Sequence, residues 1–437
     1  MGKSKFRIRY LIFSIIGILI GSIFSIIPRK DSVGFIFILF ISCVLLFISI
    51  RYPSVAQILF LAFFLRLILV VYSEYVSFLP EYLGSDAAMF ESYGWQYAQN
   101  GLLWLIQNFK TGASFYSWII GLIYSFIGRN PFVIELLNAL FGVLIVLNVY
   151  KIALLLYDKR SAYIGSLITA FFPSLIYFSA MILREVPIIY SFTLGLLIFF
   201  QWKKLQKAKY LFLSFIFFAI SFAFHTGMLV FIIIFLFLAF KDLFKKSSRK
   251  HVRNSSSSFL VLIFMLIVFV VMVKSGWGME KIGSLWDLSL SRLAEIEKIA
   301  ARDRTAYLIN LQINSVTDLF WQTPVRVLCF LFAPFVWNLH SILDLIGIFD
   351  AILYLILFII IFRSFRLLFK DEMNRNLFLF LFSGILVFAL TVSNYGTALR
   401  HRAKFLPLLV ILVVGGFYIR RKSKDLPGKG SQDDQSS

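Results

Sequence analysis

Residues 58–72 read Ile58-Leu59-Phe60-Leu61-Ala62-Phe63-Phe64-Leu65-Arg66-Leu67-Ile68-Leu69-Val70-Val71-Tyr72, with one charged residue in fifteen positions. Apolar runs of this kind recur along the 437-residue chain, in which 60% of residues are hydrophobic and 15% are charged. A helix needs about 20 apolar residues to cross about 30 Å of hydrocarbon. Soluble domains contain about a quarter charged residues. The sequence therefore predicts an all-α, polytopic transmembrane protein.

The apolar runs predict about 12 membrane spans, a length that each run can provide as a helix. The predicted spans are residues 10–27, 34–50, 55–74, 131–157, 161–181, 186–202, 210–224, 227–241, 257–274, 343–363, 376–393 and 403–420. The run at 10–27 follows a basic leader but lacks a small-x-small cleavage site before Pro28, so we interpret it as a retained helix.

These spans divide the chain into five regions. They are two additional N-terminal spans (1–54), a catalytic transmembrane module (55–274) whose first outer loop is 75–130, an outer loop with amphipathic and re-entrant segments (275–342), C-terminal spans (343–420) and a disordered cytoplasmic tail (421–437). The short apolar stretches 113–127 and 325–338 are interpreted as interfacial or re-entrant, since counting them as spans would move basic loops to the outer side.

The formal net charge of +21 suggests nucleic acid as a partner, but membrane topology explains it more simply. With a cytoplasmic N-terminus, 27 of the 43 Lys and Arg residues lie in or beside cytoplasmic loops, as the positive-inside rule requires. We therefore predict a bacterial cell-membrane protein with both termini in the cytoplasm and no nucleic-acid partner. No phosphate-binding glycine loop is evident on the cytoplasmic side, which argues against a soluble nucleotide substrate.

Two acidic residues, Asp86 and Glu185, lie on the predicted outer side between apolar segments. Acidic groups at membrane depth are expensive and usually functional, so both are candidate catalytic residues. If residues 86–100 form a helix, Phe90, Tyr93 and Tyr97 share a face with Asp86. Such rings can stack on a sugar while the carboxylate acts as a general base on an acceptor hydroxyl. The alternative is an interfacial helix with Asp86 as its N-cap.

Glu185 follows Arg184, a candidate substrate-binding residue, and precedes the apolar run after Pro187. The carboxylate can pair with Arg184, cap the following helix, or join Asp86 in binding a divalent cation. Two carboxylates form a sparse site, so Mg²⁺ or Mn²⁺ would need substrate phosphate and water as further ligands.

A basic cluster precedes the last span, against the positive-inside trend. It consists of Arg400, His401, Arg402 and Lys404. Arginine donates planar, bidentate hydrogen bonds to phosphate, so this cluster is the candidate site for a lipid-linked phosphate; the alternative is cations that extend toward lipid headgroups. His225, at the outer end of a span, either lines the same cavity or is structural.

Several short motifs follow one another from about Leu61 to Glu185. They are Leu65-Arg66-Leu67-Ile68, an outer loop with Asp86, aromatic residues, Ala98 and Asn100-Gly101, then Gly128-Arg129-Asn130-Pro131, a Leu/Asn-rich span through Asn138, Phe172-Pro173-Ser174 and Leu183-Arg184-Glu185. This order resembles bacterial GT-C glycosyltransferases, in particular the protein mannosyltransferase and aminoarabinose transferase group, which uses polyprenyl-phosphate sugars.

The resemblance implies that Asp86 is the catalytic or metal-binding carboxylate and that Glu185 helps to build the same site. Two features depart from the family pattern: Ser85 and Ala87 flank Asp86 where many members have a second acid, and two additional spans precede the usual first one. The implied activity is inverting transfer of a sugar from a polyprenyl-phosphate donor to a hydroxyl of a glycan, lipid or protein on the outer face.

Two other functions remain open. A polysaccharide polymerase or ligase would also use external arginines and a lipid groove, but its donor would be a lipid-diphosphate glycan. A transporter or flippase would be expected to show internal repeats and ionisable groups near the midplane, whereas the ionisable groups here gather at one predicted face.

Overall fold

The computed structural model describes residues 32–76, 81–247, 255–278, 306–308, 311, 313, 315–338 and 342–424. The fold in these residues is helical, as predicted, and its only β contact there is an isolated bridge between Ala306 and Asn394. The α-helices, in chain order, are α1 Ser32–Arg51, α2 Ala56–Val76, α3 Glu81–Gln99, α4 Leu102–Gln107, α5 Ala113–Ile127, α6 Pro131–Leu156, α7 Lys159–Phe171, α8 Pro173–Ser179, α9 Glu185–Leu205, α10 Ala208–Phe224, α11 Leu229–Ser247, α12 Ser255–Lys274, α13 Val316–Phe332, α14 Ile342–Leu368, α15 Glu372–Thr391, α16 Tyr395–Arg402 and α17 Leu406–Lys424.

The predicted polytopic membrane architecture is confirmed. Among the described residues, nine helices are long and apolar enough to cross a membrane, and the count rises to ten if the bent pair α7–α8 forms one span. The predicted span 210–224 corresponds to α10, a shorter apolar helix. The predicted span 10–27 lies outside the described residues, so the total of about 12 stays a prediction.

The predicted span 161–181 is bent by 60° between α7 and α8. Pro173 begins α8, and Phe172 before it is extended (φ −72°, ψ 119°), because a residue preceding proline avoids the helical region. The fully buried Arg66 of α2 contacts both sides of the bend, donating to the carbonyl of Ala170 at 3.4 Å and to Ser179 Oγ at 2.9 Å. These hydrogen bonds satisfy backbone and side-chain groups that the interrupted helix leaves available.

Helices α6, α9 and α17 form the centre of the bundle, and α1, α12 and α14 lie at its periphery. Phenylalanines from several helices fill the core around α9; Phe192, for example, lies 4.4 Å from Phe231 between ring centroids. The peripheral helices expose large apolar side chains such as Phe47 and Phe362. Such apolar surfaces suit contact with lipid rather than water.

The stretch predicted to be an interfacial helix at 113–127 forms α5 with the same bounds. Helix α3 packs against it closely, since a Cβ atom at Gly94 would lie 2.4 Å from Ile120. Of the predicted segment 325–338, the first part belongs to α13, which ends before Pro334. Residues 279–305 of the predicted outer loop 275–342 and residues 425–437 of the predicted tail lie outside the described residues, whereas the first four tail residues end α17.

The loops predicted on the outer side meet at one end of the bundle, which we call the site end. Gly112 donates to the carbonyl of Ala223 at 2.8 Å, and Tyr307 donates to that of Ser393 at 2.9 Å. The loops predicted in the cytoplasm meet at the opposite end, where Lys203 contacts Glu372. The two sets of loops are thus separated as predicted; which end faces outward stays a prediction, as do the domain bounds.

Candidate functional site

Asp86 and Arg400 form an ion pair at the site end, although 314 residues separate them in sequence. Asp86 lies in the second turn of α3, and Arg400 lies in α16. Arg400 Nη1 donates a hydrogen bond to Asp86 Oδ2. The side chain of Asp86 is 40% exposed and that of Arg400 is 18% exposed. The structure thus brings together the first predicted carboxylate and the predicted phosphate-binding arginine at a position open to ligands.

Glu185 faces a second cation, Lys404, in a more buried position. Glu185 is the first residue of α9, and its Oε1 lies 3.9 Å from Lys404 Nζ, with both side chains almost fully buried. The second oxygen, Oε2, has no hydrogen-bond partner among the residues that the structure describes. Lys404 Nζ also lies 2.7 Å from His401 Nδ1. Glu185 therefore keeps hydrogen-bonding capacity at the centre of the site.

Arg184 and His225 lie beside these pairs. Arg184 donates to the carbonyl of Phe224 at 2.9 Å, and its guanidinium lies 5.5 Å from the ring centroid of Phe90. The ring of His225 meets that of His401 edge-on at 4.8 Å between centroids. Phe90, predicted to face the sugar, is buried against Arg184 and so supports the charged groups from α3.

The charged groups interact as one cluster, which we define as Asp86, Arg184, Glu185, Arg400 and Lys404. Arg400 interacts electrostatically with both carboxylates, and Lys404 interacts with Glu185 and with both arginines. The cluster thus holds three basic side chains and two carboxylates, and two neighbouring histidines add further basic groups. A cluster with more basic than acidic groups in a partly dehydrated position attracts an anion.

Arg402 has a different environment from its neighbour Arg400. It is fully buried; its Nη1 donates to the carbonyls of Leu331 and Ala333, and its Nη2 to that of Gly347. Nε and Nη2 both contact Asp350 Oδ2. All five N–H groups are therefore engaged, and Arg402 has none left for the phosphate contact predicted from the sequence. It instead joins α16 to α13 and α14.

The aromatic residues predicted to share one face of α3 lie in two different environments. Tyr93 stacks on Tyr97 at 6.5 Å between ring centroids, and Tyr97 contacts Trp104 of α4 at 5.7 Å. Tyr93 is 46% exposed, whereas Phe90 is buried. Tyr93 and Tyr97 thus form an aromatic surface further along α3 than the charged cluster.

A second ion pair, Glu91 with Arg129, was not predicted from the sequence. Arg129 donates to Glu91 through Nε at 2.9 Å and Nη2 at 2.7 Å, and the hydroxyl of Tyr124 donates to the same carboxylate at 3.1 Å. The hydrogen bond with Glu91 raises the pKa of Arg129. Burial, followed by the charge of Glu91, raises the pKa of Tyr124. This pair fixes α3 against the α5–α6 junction five residues beyond Asp86.

Asn138, in the middle of the apolar helix α6, holds the turn that carries Arg184 and Glu185. Its side-chain amide donates to the carbonyls of Met181 at 2.6 Å and Leu183 at 2.9 Å. A buried asparagine in an apolar span was the only sequence signal for this role. Neither its partners nor those of Glu91 can be deduced from spacing along the chain.

An apolar cavity of about 420 Å³ opens beside the cluster between α5, α6, α9 and α10. It borders the cluster at Tyr116, Asn138, Pro187 and Phe224, and aromatic and aliphatic side chains form most of its remaining wall. A smaller cavity of about 80 Å³ lies between α8, α14 and α16, where Asp344, Asp350 and Tyr395 contribute to its wall. The larger cavity has the lining expected for a hydrocarbon chain.

The two carboxylates predicted to bind a divalent cation each face a basic side chain. Arg400 contacts Asp86, and Lys404 faces Glu185, so a cation already neutralises each carboxylate. Within the described ranges, no three His, Cys, Asp or Glu residues are grouped as metal ligands. Mg²⁺ and Mn²⁺ favour sets of oxygen ligands with little competing positive charge, and substrate phosphate and water would have to complete the set, so the divalent cation stays a prediction.

Comparison with known families found a match over part of the chain. Residues 112–274 match the family described as dolichyl-phosphate-mannose-protein mannosyltransferase. The matched stretch runs from the start of α5 to the end of α12 and contains Glu185 and His225, whereas Asp86 and Arg400 lie outside it. The comparisons with curated proteins and with solved structures each found no match. The resemblance to GT-C glycosyltransferases is thereby confirmed over residues 112–274, and it supports a membrane glycosyltransferase of the GT-C type.

Proposed function

We propose that this protein transfers a sugar from a polyprenyl-phosphate-linked donor to a hydroxyl of a glycan, lipid or protein at the outer face of a bacterial cell membrane. The observation that carries the proposal is the charged cluster, with Asp86 paired to Arg400, directly beside a large apolar cavity. A lipid-linked phosphate has both an anionic group and a hydrocarbon chain, and the two features lie side by side here.

The apolar cavity is the proposed site for the first isoprene units of the donor. Pro187, two residues after Glu185, and Phe224, whose carbonyl accepts from Arg184, both line it. A chain in this cavity would therefore place its phosphate at the charged cluster. Membrane lipids are the remaining partners, since the outer helices present apolar side chains.

Arg400 and Lys404 are the proposed phosphate ligands, with Arg184 adding positive charge. The leaving phosphate gains negative charge in the transition state, and prearranged cations stabilise that charge more than they stabilise the ground state. His401 contacts Lys404 and so positions its ammonium group. His225, which directly follows α10, contacts the ring of His401 and would help to position it.

Asp86 is the proposed general base, because it is the more exposed carboxylate of the cluster. It would accept the proton of the acceptor hydroxyl as that oxygen attacks the sugar opposite the phosphate, with inversion. Such assistance contributes about 10²–10⁴ in rate. Glu185 is nearly buried, so its proposed role is to hold Lys404 rather than to contact the acceptor. Tyr93 and Tyr97 are the proposed aromatic contacts for an acceptor approaching along α3.

The proposed orientation follows the basic residues. The end opposite the cluster carries basic residues at helix ends and in a loop, which the positive-inside rule assigns to the cytoplasm: Lys203, Lys204, Lys207, Arg363 and Arg366. The cluster would then open to the extracytoplasmic side.

The test is sugar transfer by the purified full-length protein in lipid nanodiscs. The proposal expects a glycosylated product from polyprenyl-monophosphate sugars. Product only from lipid-diphosphate oligosaccharides would support a polymerase or ligase instead, because the same cations also suit a diphosphate. Transport of a solute into sealed vesicles without any covalent product would contradict both enzymes.

A further inference from the structure

We infer that Asp86 and the donor phosphate compete for Arg400, so that donor binding releases Asp86 from its ion pair and thereby generates the base. The inference rests on the proposed function and adds an order of events to it. The hydrogen bond from Arg400 Nη1 to Asp86 Oδ2 represents the protein before the donor binds.

The ion pair of Asp86 with Arg400 is exposed enough for a phosphate to replace Asp86. The Asp86 side chain is 40% exposed and Arg400 is 18% exposed, so an incoming phosphate can reach the guanidinium. The neighbouring pair of Arg402 with Asp350 is completely buried, and all the N–H groups of Arg402 are occupied. Two arginines on one short helix are thus held differently, and only Arg400 can change partners without breaking the helix contacts.

A carboxylate paired with a guanidinium is a weak proton acceptor, because the pair stabilises its charged form. Asp86 in the observed arrangement is therefore a poor base. Arginine binds phosphate with charge-assisted, bidentate hydrogen bonds. Transfer of Arg400 to the phosphate would weaken its hold on Asp86 at the moment when a donor is present.

The charge changes during sugar transfer favour the same exchange. As the acceptor oxygen bonds to the anomeric carbon, the bond from that carbon to the phosphate oxygen breaks, and its electron pair remains on the phosphate. The acceptor proton moves to Asp86, which becomes a neutral acid. The negative charge lost by Asp86 thus equals the charge gained by the phosphate, and Arg400 stabilises the transition state only if it contacts the phosphate.

The discriminating experiment measures binding of a polyprenyl monophosphate without sugar to the full-length protein in nanodiscs, in the presence of a chelator. Asp86→Asn removes the competing charge while keeping a similar shape. The expected result is about threefold to tenfold tighter binding than in the wild type, the range for loss of a partly exposed ion pair. The corresponding uncharged polyprenol should bind equally to both proteins.

Two further variants isolate the pair. In the Arg400→Gln background, Asp86→Asn should not tighten phosphate binding further, because the guanidinium for which Asp86 and the phosphate compete is absent. Asp158→Asn is the matched control: Asp158 pairs with Arg421 at the opposite end, with a similar exposure, and its removal should leave phosphate binding unchanged. Thermal unfolding of each variant verifies that the protein is folded.

The outcomes separate this inference from the proposed function. Phosphate-selective binding that Asp86→Asn leaves unchanged or weakens would overturn the exchange and leave the lipid-phosphate donor standing. Weaker binding in Asp86→Asn that also needs Mg²⁺ or Mn²⁺ would favour a metal bridge between Asp86 and the phosphate. Equal binding of the phosphate and the alcohol by wild type would overturn both proposals.

Discussion

The two ends of the bundle both contain lysines facing carboxylates, but they are built differently. At the opposite end, Lys203 Nζ lies 2.8 Å from Asp242 and 2.8 Å from Glu372. At the site end, Lys404 Nζ lies 3.9 Å from Glu185, whose Oε2 has no hydrogen-bond partner among the described residues. An ionic group whose hydrogen bonds are all made within the protein stabilises the fold, whereas an ionic group that keeps an unused hydrogen-bonding atom can bind a ligand.

The ion pairs at the two ends of the bundle differ because they connect different helices. Lys203 lies near the end of α9, Asp242 belongs to α11 and Glu372 begins α15, so one ammonium group joins three helices. Glu185 begins the same helix α9, about 27 Å from Lys203 at 1.5 Å per residue. One helix therefore carries a structural group at one end and the candidate site at the other.

The largest expected effect on stability comes from Lys203→Met. Removing the ammonium leaves the buried Asp242 without its partner, so we expect the free energy of unfolding to fall by about 3 kcal/mol. Lys404→Met should destabilise the protein less, because Arg400 still faces Glu185. Denaturant titration in detergent compares the two variants. A larger loss in Lys404→Met than in Lys203→Met would contradict the assignment of the two ends.

A smaller effect is expected from Glu91→Gln, which tests how α3 is held at the site end. The substitution removes the charge from the bidentate pair with Arg129, and Arg129 is half exposed, so we expect a loss of about 1 kcal/mol. Because α3 also carries Asp86, sugar transfer should slow more than donor binding weakens. Transfer kinetics at varied donor concentration separates the two; a change in donor KM alone would show that Glu91 does not position the base.

The smallest effect is expected from Asp158→Asn at the opposite end. Burial acts to raise the pKa of Asp158, but the N–H of Ser161 and the charges of Arg421 and Arg160 outweigh it and lower the pKa. A lowered carboxyl pKa contributes stability above the ordinary range of aspartate, and this stability is lost as pH falls through the folded-state pKa.

We therefore expect Asp158→Asn to cost less than about 1 kcal/mol near neutral pH and to have no effect in acid below that pKa. Unfolding curves recorded from neutral pH into acid measure both values. A loss that persists unchanged in acid would show that the contribution of Asp158 does not come from its charge.

The fold class and the grouping of loops were predictable because each depends on a local pattern. Apolar runs of about 20 residues identify spans, and basic residues identify one set of loops. Asp86, Glu185, Arg400 and Lys404 were found because charged residues are exceptional between such runs. The sequence predicted that these four residues lie on the same side of the membrane, but it did not predict which of them form ion pairs.

What the sequence did not provide are contacts between distant segments. Arg400 and Arg402 are two residues apart and looked equivalent, yet a helix places them on different faces, and Arg402 lies against Asp350 instead of the cluster. No role was predicted for Glu91 or Asn138, because their hydrogen-bond partners come from distant segments of the chain. Side-chain partners of this kind depend on packing between helices, which the spacing of residues along the chain does not predict.

Single-turnover sugar transfer by Asp86→Asn at saturating polyprenyl-phosphate sugar tests most directly whether Asp86 is the catalytic base. If Asp86 is the base of the site end, transfer should slow by about 10²–10⁴ while the donor remains bound. Full wild-type rate in the folded Asp86→Asn protein would show that Asp86 is not the base.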